Sequence, residues 1–375
     1  MDSYKVPPVP SAVSPPDPRR RWGVIALITS LVVLALALAT RALPGARARS
    51  LPTAAAQWIW KDVDWDDHQP TAFYLLRDFD LAAPPSSARL LVTADEEYVL
   101  TLNGRQIGAG VFQPGAVLDV YEVGPLLLPG ANRLMVEVRS ARGAGGLLAS
   151  LMDGGGRLLV GTDDRWRIFP NYELGLARGW LPVSRGVPVY CWGLPPMGRW
   201  GRPRPGPLKP LFGELAGAPV PATSAVPRPP VLPVAAGGRP PGSPVLYDWG
   251  REMTGYLSLE LTPVGELDKA ILFTGDSPPD PLRSDPVGSI LIVPGRHSWL
   301  DARPRRFRYA LILGLERPAS LAILPVSPET WVPPLPAQDE RGVLGIVPPP
   351  LRTPVEDEVW GKLQRLSGIA GRKEL

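Results

Sequence analysis

The sequence predicts an all-β fold: two antiparallel β-sandwich domains behind one N-terminal transmembrane helix. Three observations carry this. Apolar residues alternate with period two in short runs: Tyr98, Leu100 and Leu102 against Val99, Thr101 and Asn103, and Leu134, Val136 and Val138 against Arg133, Glu137 and Arg139. Turn formers punctuate those runs, with 49 prolines and 39 glycines in 375 residues, while 45% of the chain is still apolar. The third is a single long apolar run, residues 22–39, preceded by Arg19, Arg20 and Arg21.

Residues 1–21 form a short tail in which Pro7, Pro8, Pro10, Pro15, Pro16 and Pro18 prevent a helix, and the basic residues before the apolar run place it in the cytoplasm. Residues 22–40 are long enough to cross a bilayer, so a retained signal-anchor is expected, with the bulk of the chain extracytoplasmic at the cell membrane. Ala37-Leu38-Ala39 offers the alternative of a cleaved signal peptide, with the same compartment for everything after it. Residues 41–56 read as a spacer.

The first sandwich is expected over 57–169. Asn103-Gly104 supplies the positive φ angles of a two-residue hairpin, and Pro129-Gly130 marks another turn. Residues 170–244 are crowded with proline, glycine and arginine and read as an extended crossing segment and linker. Its first half holds Trp180, Tyr190, Trp192 and Trp200, too many aromatics for a free linker, so it is expected along a domain surface. The second sandwich is expected over 245–326, where Leu257, Leu259 and Leu261 and then Phe307, Tyr309, Leu311 and Leu313 alternate. In the proline-rich tail 327–375, Val355, Val359, Leu363 and Leu366 give one short amphipathic helix.

The charge balance excludes some classes. The formal charge of +4 comes from arginine spread along the chain, without the stripe a nucleic-acid groove needs, and Arg303, Arg305, Arg306 and Arg308 read as a solvated strand face. Cys191 is the lone cysteine, so no internal disulfide or cysteine metal cage forms. His68 and His297 fall in different domains, which argues against zinc catalysis and a serine–histidine relay. Asp62, Asp64, Asp66 and Asp67 have the opening of a calcium loop, but the sixth and twelfth positions hold Asp67 and Phe73 instead of glycine and glutamate. A solvated acidic loop is the simpler reading and a looser calcium site the alternative, so no cofactor is expected.

Several segments together resemble the N-terminal accessory domains of bacterial alpha-L-rhamnosidases. Trp58-Ile59-Trp60, the stretch from Val92 through Asp95-Glu96-Glu97 to Leu102-Asn103-Gly104, and Thr162-Asp163-Asp164-Arg165-Trp166 are similar to their galactose-binding-like jelly roll. Tyr247-Asp248-Trp249-Gly250-Arg251-Glu252 with Gly255-Tyr256, then Trp299 and Arg305-Arg306-Phe307-Arg308-Tyr309, are similar to the β-sandwich that follows it. The resemblance implies jelly-roll-like sandwiches and carbohydrate, a rhamnose-containing polysaccharide, as partner. The helical barrel that carries the paired acids of those enzymes has no counterpart in these 375 residues, so binding without catalysis is the expectation. Glu356, Asp357 and Glu358 suit a helix start better than an acid–base pair.

For ligand contact the sequence offers Trp65, Trp192 and Trp200 as exposed platforms and Asp95 and Glu96 as hydroxyl-binding carboxylates, against the plainer reading that the two acids satisfy backbone donors. Trp58, Trp60, Trp166, Trp249 and Trp299 fall at strand positions and are assigned to packing. Two other functions stay open: a docking partner of a separately encoded glycosidase, held through the terminal helix, and a glycoside hydrolase using sandwich carboxylates.

Overall fold

The computed structural model describes residues 27–34, 51–62, 69–141, 143, 145–215, 218–227, 245–277, 288–315 and 320–326. The chain divides into two units, Met1–Ser50 and Leu51–Leu375. In the first, residues 27–34 form a helix (α1) with exposed apolar side chains. No helix among the described residues is long and apolar enough to cross a membrane, and the rest of the anchor expected at 22–40 lies outside them. The helix expected at 355–366 also lies outside them.

The second unit is built almost wholly of strands. Trp58–Trp60 (β1), Thr71–Leu81 (β2), Ala88–Asp95 (β3) and Glu97–Leu102 (β4) come first. Arg105–Val111 (β5), Val117–Glu122 (β6), Gly130–Ser140 (β7) and Gly146–Asp153 (β8) follow. Leu158–Gly161 (β9) and Arg167–Phe169 (β10) end the expected first domain. The crossing segment adds Val187–Pro188 (β11), Tyr190–Gly193 (β12) and Arg204–Lys209 (β13).

These strands make two sheets packed face to face. Sheet A has the order β12-β1-β8-β3-β6-β13 with β9 beside β8, and sheet B the order β11-β10-β2-β7-β4-β5. Between them lie Trp60, Phe73, Leu75 and Trp166 together with the alternating residues read from the sequence, Tyr98, Leu100, Leu102, Leu134, Val136 and Val138. The Asn103-Gly104 turn has φ of 51° and 79°, and Leu102 pairs with Arg105 across it.

The crossing segment departs from the expectation of a surface stretch. β12 and β13 form the two opposite edges of sheet A, and β13 runs parallel to β6, an exception to the antiparallel pattern. Five strand spacings separate those edges, about 24 Å, so the residues between them span the outer face of the sheet. Trp200 is pressed there against Trp58, Leu91, Leu118, Val120 and Leu148. Pro205 and Pro207 suit β13 because an edge strand leaves one side of its backbone unpaired. The fold also starts earlier than 57, since Leu51, Thr53 and Ala56 are already buried.

The remaining strands are Val220–Pro221 (β14), Ser224–Pro227 (β15), Val245–Glu260 (β16), Asp268–Gly275 (β17), Gly288–Ile292 (β18), Ser298–Leu300 (β19), Arg305–Leu313 (β20) and Ser320–Pro325 (β21). They form a third antiparallel sheet ordered β14-β21-β16-β20-β17-β18, with β15 and β19 also on β16. The long β16 changes partners midway: residues 245–248 lie between β15 and β20, and residues 255–260 pair with β21. The break falls within Tyr247-Asp248-Trp249-Gly250-Arg251-Glu252, where Gly250 has φ 73° and donates its N–H to Asp248 Oδ1 at 2.7 Å. Trp249, Leu257, Leu259, Trp299 and Phe307 fill its core. All five tryptophans assigned to packing are buried.

The outer face of sheet B is not in solvent. Tyr74, Leu76 and Met135 pack with Leu291 and Val293, and Val99 and Ala109 with Tyr256 and Leu300. Glu137 is therefore buried among cations: Arg139 Nη2 stands 2.6 Å from its Oε1 and Arg296 Nη1 3.3 Å from its Oε2, while Tyr74 Oη donates to Oε2 at 3.1 Å. Burial pushes the Glu137 carboxyl up, but Arg139 and Arg296 outweigh it and hold it below its ordinary range. Arg139 Nη1 also donates to Leu300 O at 2.8 Å. The solvated arginine face read from the sequence holds in part: Arg303 and Arg306 are exposed and pair with Glu97 and Glu252, and Arg308 is half-buried beside Asp248, whereas Arg305 is largely buried against Asp301.

Candidate functional site

A compact loop follows β10, where the chain leaves the first sandwich. Pro170, Gly175, Gly179 and Pro182 limit it to one helical turn, Leu174–Ala177 (α2), and Gly179 turns the chain with φ 78°. It is pinned from the first sandwich and from the third sheet. Leu176 is buried among Tyr74, Leu76, Phe169, Leu291 and Val293, and its carbonyl accepts Arg133 Nη1 at 2.9 Å. Arg133 in turn holds both oxygens of Asp78, at 2.6 and 2.7 Å. Tyr172 N–H donates to Pro294 O at 2.8 Å, and Leu181 N–H closes the turn on Gly175 O at 3.1 Å.

What this held loop displays is polar and aromatic. Trp180 is 69% exposed, and the Arg178 guanidinium sits 5.6 Å from its ring centroid. Glu173 is exposed on the same loop. An indole, a guanidinium and a carboxylate are thus set on a short backbone that buried contacts fix in place. Such a set stacks on the apolar face of a sugar ring and hydrogen-bonds its hydroxyls. At roughly 25 cal/mol/Å², covering about 100 Å² of exposed ring contributes about 2–3 kcal/mol.

A second aromatic surface lies on edge strand β12. Tyr190 is 42% exposed and meets Trp192 edge-on with ring centroids 5.0 Å apart. The Cys191 thiol between them is pushed up by burial and by the nearby carboxylates of Asp164 and Asp163. Asp163 is bound to Arg165, Nε at 2.8 Å and Nη2 at 2.5 Å.

The residues singled out from sequence fare differently. Trp65 lies outside the described residues, as do Asp64, Asp66, Asp67 and His68 of the acidic loop. Trp200 is not an exposed platform: it is fully buried, stacked on Trp58 at 4.2 Å, with its Nε1–H donated to Asp95 Oδ2 at 3.0 Å. Asp95 is buried with it and so is not a surface carboxylate. The backbone packs closely on both residues, since a Cβ on Gly146 would stand 2.6 Å from the Trp200 ring and one on Gly145 2.2 Å from the Asp95 carbonyl oxygen. Glu96 Oε2 accepts the Ala141 N–H at 2.5 Å, the backbone-satisfying role weighed against a ligand role. Trp192 is half-buried against the sandwich core, leaving Tyr190 as the exposed ring of that strand.

Sequence reasoning placed Trp180 on a domain surface but did not single it out as the exposed platform. The available signal was local: Trp180 follows Gly179 between two prolines and has both signs of charge within seven residues. Among the described residues no group of three or more His, Cys, Asp or Glu is placed to hold a metal ion.

No family model matches the chain, and no curated protein does. Among solved structures, the chain is similar to an alpha-L-rhamnosidase from Dictyoglumus thermophilum, at 15% identity and a TM-score of 0.46, covering 72% of this chain and 35% of that one. A native alpha-L-rhamnosidase from Aspergillus terreus matches at 18% identity and a TM-score of 0.46, over 72% and 36%. A lectin from Pleurotus ostreatus in complex with GalNAc matches at 16% identity and a TM-score of 0.35, over 72% and 77%. The chain thus spans about a third of the length of those rhamnosidases, and at these scores the likeness assigns no function.

Proposed function

We propose that this is a membrane-anchored, extracytoplasmic, non-catalytic carbohydrate-binding protein that takes its ligand on the Trp180 loop. The observation that carries the reading is an indole 69% exposed on a short loop held by buried contacts to the first sandwich and to the third sheet. Rigid aromatic display keeps the ordering cost of binding low. The sugar class, a rhamnose-containing polysaccharide, follows from the sequence resemblance to rhamnosidase accessory domains, and a 6-deoxy sugar offers a methyl group to the indole. The anchor at 22–40 and the orientation set by Arg19, Arg20 and Arg21 belong to the same proposal.

The test is a glycan-binding screen with the full-length protein, run beside hydrolysis of aryl rhamnosides. Binding without turnover, weakened about 10- to 100-fold by Trp180→Ala at unchanged melting temperature, is the expected result. Turnover abolished by substituting one carboxylate, or binding indifferent to Trp180, would sink the proposal.

A further inference from the structure

The arginines of this protein are not all used alike. Over most of the fold they face carboxylates: Arg133 meets Asp78 at 2.6 Å, Arg157 meets Asp153 at 3.0 Å, and Arg308 meets Asp248 at 2.9 Å. Residues 170–209 break that habit. They hold six basic residues, Arg178, Arg185, Arg199, Arg202, Arg204 and Lys209, against the single acid Glu173. Their net charge of +5 exceeds the +4 of the whole chain, so everything else sums to −1. Lys209 pairs with Asp119 at 2.9 Å. Arg178, Arg185, Arg202 and Arg204 are exposed and meet no carboxylate among the described residues. Unpaired guanidiniums gathered on one segment raise the local concentration of anions, and their planar fork matches carboxylate or phosphate oxygens.

We propose that the ligand of the Trp180 loop is an acidic polysaccharide. Its carboxylate or phosphate groups are met by Arg178 and Arg185 around the platform and by Arg202 and Arg204 at the β13 edge. This deepens the carbohydrate-binding reading and rests on it. Arg178, 5.6 Å from the indole centroid, places a cation beside any sugar stacked on the ring. Arg178 and Arg185 belong to the segment packed against sheet B and Arg202 and Arg204 to the β13 edge of sheet A, so a ligand that reaches both pairs is a polymer and not a single sugar.

The experiment compares binding of the full-length protein to a polymer alternating galacturonic acid and rhamnose, to the same polymer with its carboxyls reduced to alcohols, and to a phosphodiester-linked glycan. Anionic-lipid vesicles and single-stranded DNA form the remaining arms. The expected result is binding of an acidic glycan about tenfold or more tighter than of the reduced polymer. That gap should narrow as salt rises and narrow again in the variant Arg185→Gln, Arg202→Gln, Arg204→Gln, which still binds the reduced polymer. Whichever acidic glycan wins identifies the anion. Equal affinity for native and reduced polymers, both lost in Trp180→Ala, overturns the acidic ligand and leaves the carbohydrate reading standing. No binding to any glycan overturns both, and tighter binding to vesicles or DNA than to the acidic glycans overturns the acidic-polysaccharide assignment.

Discussion

Replacing Trp200 by alanine tests the central correction to the sequence reading, that this tryptophan clamps the fold instead of displaying a surface. Trp200 is fully buried on the outer face of sheet A, stacked on Trp58 at 4.2 Å and hydrogen-bonded to Asp95 at 3.0 Å. Truncating a buried aromatic of this size costs about 3–5 kcal/mol. Removing a donor from the buried Asp95 carboxylate adds about 1 kcal/mol or more. A loss near 5 kcal/mol is a large part of the ~5–15 kcal/mol that holds a domain folded. It lowers the melting temperature by about 10 °C. Thermal unfolding followed by circular dichroism, with Trp180→Ala as the exposed comparison, reads the difference directly. Trp200→Phe, which keeps an aromatic ring on Trp58 but loses the N–H and part of the indole, should fall between the two. A Trp200→Ala protein that melts within a degree or two of the parent would refute the reasoning, and with it the idea that residues 194–203 brace the sheet.

Three more outcomes follow. Glu137→Gln leaves Arg139 and Arg296 buried without their counter-charge and should cost about 3–5 kcal/mol by urea titration. In the parent the Glu137 carboxyl is held below its unfolded value, so its contribution is complete above about pH 5 and is lost as pH falls through the acid range; the variant should show a flatter acid limb. Tyr247 and Tyr256 are both pushed up to about 12 by burial, so stability should hold below about pH 10 and decline from there toward pH 12, a decline that Tyr247→Phe and Tyr256→Phe reduce. A periplasmic-type reporter fused after Leu375 should be active only outside the cytoplasm, and cytoplasmic activity would reverse the orientation read from Arg19, Arg20 and Arg21.

How far the sequence could be read depends on whether its signal was local. The alternation around Tyr98, the Asn103-Gly104 turn and the core tryptophans are set by period and backbone preference, and they stand as read. The burial of Glu137 and Arg139 could not be seen that way. On strand β7 they alternate as polar residues do, and only the packing of the third sheet takes them out of water. The short strands β11, β12 and β13 carry no periodic run, because an edge strand two to six residues long needs none. Trp180 and Trp200 lie twenty residues apart in similar proline- and glycine-rich contexts, yet one faces solvent and the other is sealed. That choice is made by long-range placement, to which local composition is blind.

Sheet A has a temporal consequence. It begins with β1 at residue 58 and receives both of its edges, and the indole that covers its outer face, from residues 190–209. A chain that emerges amino end first, from a ribosome or a translocation pore, therefore cannot complete its first sandwich until Lys209 is out. Pairings across such long sequence separations form slowly. Until then Trp58 and Leu148 lack their cover, and this interval is when the growing chain is most exposed to self-association and to capture by chaperones.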